Sequence, residues 1–122
     1  MTAELKERTK LFALKVIHLV STFPRNKCAD IIGRQLIKSA TSVGANYRAA
    51  CRGQTRAQFI AKMNIALEES DESEYWLELS EQLEYGDRDL LKSVLCETHE
   101  LTAIFIASIK TAGKKIGTSQ RS

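Results

Sequence analysis

A single proline, Pro24, and six glycines in 122 residues leave this chain few places where a helix must stop. That scarcity argues against collagen-like, low-complexity and turn-rich all-β architectures and favours long helices. No apolar run approaches the 18 or so residues that a membrane-spanning helix needs, and the N-terminus is charged. The expectation is a chain without signal peptide or membrane span, located in the cytoplasm. Cysteine is sparse and odd in number: Cys28, Cys51 and Cys96 are widely spaced and form no CxxC pair. This excludes a disulfide framework or zinc-finger spacing and points to reduced thiols, two or three of them packing in the core.

Histidine is scarcer still. A carboxylate-bridged di-metal bundle needs Glu-x-x-His on two helices, but Lys15 stands three residues before His18 and Cys96 three before His99. Cys96 and His99 form half of a zinc pattern with no second pair in view. There is no glycine-rich phosphate loop and no strand-turn-helix nucleophile elbow. The acidic run Glu68, Glu69, Asp71, Glu72 and Glu74 therefore reads as solvated carboxylates. No catalytic residue, metal or cofactor is expected, and the chain reads as a non-enzyme.

What is present is a globular composition, with 43% hydrophobic and 27% charged residues, sized for one domain. The net charge of +3 hides a strong asymmetry. Residues 1–62 carry twelve Lys/Arg against Glu4, Glu7 and Asp30, a net of +9. Residues 68–89 carry ten acids against Arg88, a net of −9, and residues 90–122 carry five bases and two acids, a net of +3. Such blocks serve a nucleic-acid surface, self-complementary assembly, or merely solvated helix faces.

Apolar periodicity predicts four amphipathic helices. The first spans about Ala3 to Thr22, with Leu5, Phe12, Val16, Leu19 and Phe23 inward and Lys6, Lys10 and Lys15 on the surface, and Pro24 ends it. The second spans about Cys28 to Arg52, with Ile32, Leu36, Ala40, Val43, Tyr47 and Ala50 on one arc. Arg34, Lys38, Arg48 and Arg52 lie on the opposite side. Asn46 falls at the border, where a hydrogen bond to a neighbouring helix is expected. Gly53 reads as the residue that closes this helix, and Thr55 with Gln58 as the capping box of the third. The third reaches about Tyr85 on a seam of Phe59, Met63, Ala66, Ser70, Ser73, Trp76, Leu77, Ser80 and Leu83. Trp76 and Leu79 are candidates for a subunit contact. Gly86 closes this helix and Asp87 caps the fourth, which runs to about Ala112. Short connections then give an all-α, antiparallel up-down-up-down four-helix bundle over residues 1–112. Residues 113–122 are expected to form a flexible basic tail.

Three motifs carry a family resemblance. They are Ser42-Val43-Gly44-Ala45-Asn46-Tyr47, Phe59-Ile60-Ala61-Lys62, and the set Glu69, Glu72, Ser73, Tyr75, Trp76 and Leu77. Together they resemble the four helix bundle protein family, whose members include proteins encoded by intervening sequences in large-subunit ribosomal RNA genes. The accessory variability proteins of diversity-generating retroelements are structurally similar. The resemblance implies a homo-oligomer, a basic barrel-shaped pentamer in the retroelement branch, which engages nucleic acid and docks a reverse transcriptase. Ala49 stands where members usually carry a glutamate after Asn-Tyr-Arg, so any role of that carboxylate is absent or supplied elsewhere.

The candidate nucleic-acid residues are Arg34, Lys38, Arg48, Arg52 and Arg56, a ridge able to neutralise several phosphates of RNA or DNA. No aromatic residues interleave with it, which argues against a stacking platform. Asn46, Tyr47, Trp76 and Leu79 are candidate structural or interface positions. The expected partners are further copies of the chain, a nucleic acid or a nucleic-acid-handling protein, with no membrane. A protein-binding scaffold, whose basic and acidic faces serve assembly alone, stays open beside that reading.

Overall fold

In a computed structural model of the protein, backbone is described over residues 2–121 and side chains over residues 3–114. Four helices account for it: α1 Thr2–Ser21, α2 Lys27–Cys51, α3 Arg56–Gln82 and α4 Arg88–Arg121. No strand occurs among the described residues. The expected flexible tail over 113–122 falls mostly on residues whose side chains lie outside that description. The α4 backbone itself runs past the expected end at Ala112.

Helices α2, α3 and α4 each start where a side-chain oxygen takes up an orphan N–H of the first turn. Asn26 Oδ1 accepts from the Ala29 N–H at 2.8 Å, and Asp87 Oδ1 accepts from the Leu90 N–H at 2.8 Å. Thr55 and Gln58 form the reciprocal capping box expected of them. The end of α3 differs from expectation. The helix stops at Gln82, and Glu84 rather than Gly86 takes the left-handed closing position, at φ 57°. The Tyr85 N–H bonds to the Ser80 carbonyl and the Glu84 N–H to the Glu81 carbonyl, the paired pattern of a Schellman close. Gly86 follows, itself left-handed at φ 78°, to turn the chain into α4.

The helices pack in a ring: α1 on α2, α2 on α3, α3 on α4, and α4 back on α1. The one shared core holds Phe12, Val16, Leu19, Leu36, Val43, Tyr47, Met63, Leu77, Leu91, Val94, Leu101 and Phe105. The Tyr47 and Phe105 rings stack with centroids 6.1 Å apart. Small residues bring the helices close. At Gly33 an added Cβ would sit 2.8 Å from a Val20 methyl, and at Gly44 it would sit 3.2 Å from the Thr9 hydroxyl. Across α2 and α3 the Ser73 hydroxyl donates to Ser39 Oγ at 2.9 Å, and Ser70 and Thr102 hydroxyls meet at 2.7 Å between α3 and α4. Thr9 and Thr98, fully buried, donate to the carbonyls of Leu5 and Val94 one turn back, so neither hydroxyl is orphaned.

The α1–α4 side is held by charge. The Arg8 guanidinium grips the Glu97 carboxylate through two bonds of 2.7 Å and reaches Glu100 at 3.2 Å. The hydrogen bonds that the guanidinium donates to Glu97 raise its pKa and keep it charged. At the far end, Thr22 Oγ1 accepts from the Asp87 N–H at 2.8 Å, tying the end of α1 to the start of α4.

The cysteine expectation is corrected. All three thiols are free, but Cys28 and Cys96 are exposed and Cys51 is half-buried. Cys28 sits in the first turn of α2, and Cys96 lies half a helical turn away from the Val94 and Thr98 side of α4. Leu83 likewise leaves the core, being 48% exposed beyond the end of α3.

Candidate nucleic-acid interface

The five ridge residues Arg34, Lys38, Arg48, Arg52 and Arg56 are all exposed. Arg34, Lys38 and Arg48 stand on the flank of α2 opposite its apolar arc, Arg52 caps the C-terminus of that helix, and Arg56 opens α3. The ion pairs present among the described residues join Arg8 to Glu97 and Glu100, and His99 Nε2 lies 3.2 Å from a Glu74 carboxylate oxygen, so no ridge cation is committed to an ion pair. Arg34 makes only a long 3.4 Å contact to the Asp30 carbonyl of its own helix.

Lys38 is an α2 ridge cation whose charge reaches the acidic run of α3. Across the α2–α3 boundary Glu69 feels its charge, although burial and the neighbouring Glu72 carboxylate outweigh it and push the Glu69 pKa up. The acidic block thus meets the ridge at Glu69 and Lys38.

Packing extends the ridge in a way that the periodicity of α2 alone does not reveal. Where α1 meets α2, a groove of about 240 Å³ is lined by Lys6, Thr9, Lys10 and Ala13 from α1 and by Thr41, Gly44, Ala45 and Arg48 from α2. Its cations come from both helices and no carboxylate lines it. Further along the same helix pair a second recess brings Arg25 and Arg34 together with Asp30.

The candidate interface residues fall into different settings. Tyr47 is buried in the core against Phe105. Asn46 is half-buried, and its amide donates within α2, to the Ser42 carbonyl at 2.9 Å and the Ser42 hydroxyl at 3.1 Å, rather than to a neighbouring helix. Trp76 and Leu79 are half-buried on α3, with Trp76 edge-on to the exposed Tyr75. Leu11, Leu14 and Ile17 leave an apolar strip on α1 that is 51%, 54% and 43% exposed.

No group of three or more potential metal-ligating side chains occurs among the described residues. None of the helices searched is long and apolar enough to cross a membrane. The fold and this surface define a class: an all-α, four-helix protein whose conspicuous chemistry is a lysine- and arginine-rich face. Residues 2–107 match the 23S rRNA-intervening sequence protein family, and the chain belongs to that family. A solved structure from Bacteroides thetaiotaomicron, a protein of unknown function from the S23 ribosomal protein family, aligns with a TM-score of 0.80 at 36% identity. The alignment covers 90% of this chain and 99% of that one. No curated protein sequence matches the chain.

Proposed function

We propose that this protein is a non-enzymatic, self-associating, up-down-up-down four-helix bundle of the cytoplasm that offers its basic face to RNA. The supporting observation is the set of exposed cations Arg34, Lys38, Arg48, Arg52 and Arg56, none of them in an ion pair among the described residues. Exposed cations outside ion pairs stay available to an incoming polyanion, which releases counterions on binding. The family name, which refers to ribosomal RNA, agrees with this ligand class.

The antiparallel order is supported by side-chain pairs whose positions advance on one helix as they retreat on the next. Gly44 meets Thr9 while Gly33 meets Val20, and Arg8 meets Glu97 while Thr22 meets Asp87. Self-association, a pentamer in keeping with the resemblance, would cover the strip of Leu11, Leu14 and Ile17 and the neighbourhood of Trp76 and Leu79. A scaffold in which basic and acidic faces pair between subunits is the competing reading, favoured by the ten acids gathered over residues 68–89.

One experiment separates the two. The Arg48→Glu, Arg52→Glu variant is compared with the native protein for binding to a hairpin RNA across a salt series, with native mass measured on the same samples. Loss of RNA binding at unchanged mass is expected. Loss of the oligomer would install the scaffold reading instead, and native protein that binds no RNA at low salt would overturn the proposal.

A further inference from the structure

The α1–α2 groove is built differently from the ridge beside it. Its floor is Ala13, Gly44 and Ala45, and its walls carry Lys6 and Lys10 from one helix and Arg48 from the other. Such small floor residues let a bulky group approach the helix backbones, yet offer no large apolar side chain for a protein helix to pack against. Thr41 and Thr9 spend their hydroxyl protons on carbonyls of their own helices, Thr41 on Ile37 and Lys38 and Thr9 on Leu5. Mid-helix N–H groups are likewise taken up within the helices. What remains to meet a ligand is positive charge from two sides with no carboxylate between, so the ligand is an anion read by charge and shape.

A second, separate recess lies on the same pair of helices. Toward the other end of the same helix pair stand Arg25 and Arg34, with Asp30 beside them. At about 1.5 Å of rise per residue, Arg34 and Arg48 lie about 21 Å apart along α2. In duplex DNA one strand advances about 3.4 Å per phosphate along its axis, and at a comparable spacing that length spans several phosphates.

We propose that the α1–α2 groove is a track for the phosphodiester backbone of RNA, with Lys6, Lys10 and Arg48 holding one stretch and Arg25 and Arg34 the next. The inference rests on the RNA reading above and adds to it an α1 wall and a path. Contact through phosphates alone makes the binding tolerant of sequence.

The test compares three variants with the native protein on one hairpin RNA over a salt series. Lys6→Gln with Lys10→Gln removes the α1 wall. Ala45→Glu places a carboxylate on the exposed floor among the cations. Lys92→Gln with Lys110→Gln removes equal charge from exposed positions on α4 and serves as the control. Circular dichroism and thermal midpoints establish that each remains folded. Losing two phosphate contacts lowers the log–log salt slope by about 1.4 for a single strand and about 1.8 for a duplex. That reduction is expected for Lys6→Gln with Lys10→Gln, with affinity at low salt lowered roughly tenfold or more. Ala45→Glu is expected to weaken binding comparably, and the α4 control to stay within about twofold of native. Acylation footprinting supplies a second readout, in which RNA is expected to protect Lys6 and Lys10 but not Lys92. Groove variants that bind like the α4 control, while native protein binds RNA, would overturn the groove and leave the RNA reading standing. Native protein that binds no RNA at low salt would overturn both.

Discussion

The close approach of α1 to α2 makes a sharp prediction about stability. Gly33 lies in the interior of α2, and alanine there would gain about 1 kcal/mol from helix propensity. Its Cβ would nevertheless sit 2.8 Å from a γ-methyl of Val20, against the roughly 3.5–4.0 Å that carbon contacts prefer. Valine in a helix holds one strongly preferred χ1 rotamer, so the methyl cannot simply swing aside. Overpacking of this kind costs about 1–3 kcal/mol. Gly33→Ala is therefore expected to destabilise by about 1 kcal/mol net, as the midpoint of that cost less the propensity gain. Val20→Ala removes two partly buried methyls and recovers some propensity, for a loss of about 1 kcal/mol.

The double variant carries the reasoning. With the Val20 methyl gone, the Cβ introduced by Gly33→Ala occupies the vacated space, the clash disappears and the propensity gain remains. Its stability is expected near the native value, a coupling of about 2 kcal/mol between the two changes. Urea titrations of the four proteins, analysed for midpoint and slope, measure this cycle. Single effects that add to within about 0.5 kcal/mol would refute the close-packing account, as would a Gly33→Ala variant stabilised by the full propensity gain.

Two further outcomes follow from backbone and charge. Glu84 holds a left-handed conformation at φ 57° where glycine would be unstrained, so Glu84→Gly is expected to stabilise the protein by roughly 1 kcal/mol in the same titrations. The Glu69 carboxyl has its pKa raised from 4.5 by burial first and by Glu72 second. As pH climbs past that ordinary value the unfolded chain releases this proton before the folded one does, so stability falls across the interval up to the raised value. Glu69→Gln is expected to abolish that fall, and urea midpoints taken below pH 4.5 and at neutral pH, for both proteins, check it.

Much of this architecture is legible in the sequence because helix signals are local. The Thr55–Gln58 box and the Asp87 cap need only neighbouring residues, and the α2 arc of Leu36, Ala40, Val43 and Tyr47 needs only the 3.6-residue period. Misreadings arise where residue type competes with phase or geometry. Cysteine is a frequent core residue, yet Cys96 lies on the outward side of α4, a position its phase relative to Val94 already indicates. Gly86 suggests the left-handed closure because glycine takes that conformation freely, but the chain closes α3 two residues earlier on Glu84. Asn46 does sit at a border, but phase does not choose a partner. Ser42, one turn back, supplies two acceptors without involving another helix.

The candidate site shows the same division more sharply. Arg34, Lys38 and Arg48 share a flank of α2, and helical phase alone places them there. Whether Lys6 and Lys10 belong to the same surface depends on which flank of α1 turns toward α2, and that is set between helices. The small contacts decide it: Gly44 against Thr9 and Gly33 against Val20 fix the rotation of α1, and that rotation brings Lys6 and Lys10 to the groove beside Arg48. The same ring order sets the acids apart from the α1 wall, because the α3 backbone packs on α2 and α4 and does not approach that of α1. Glu69 reaches Lys38, but the α1 wall has no acidic helix against it other than α4, whose Glu97 and Glu100 are held by Arg8. Tertiary packing thus gathers Lys6, Lys10 and Arg48, from two helices, around one carboxylate-free groove in a chain whose net charge is only +3.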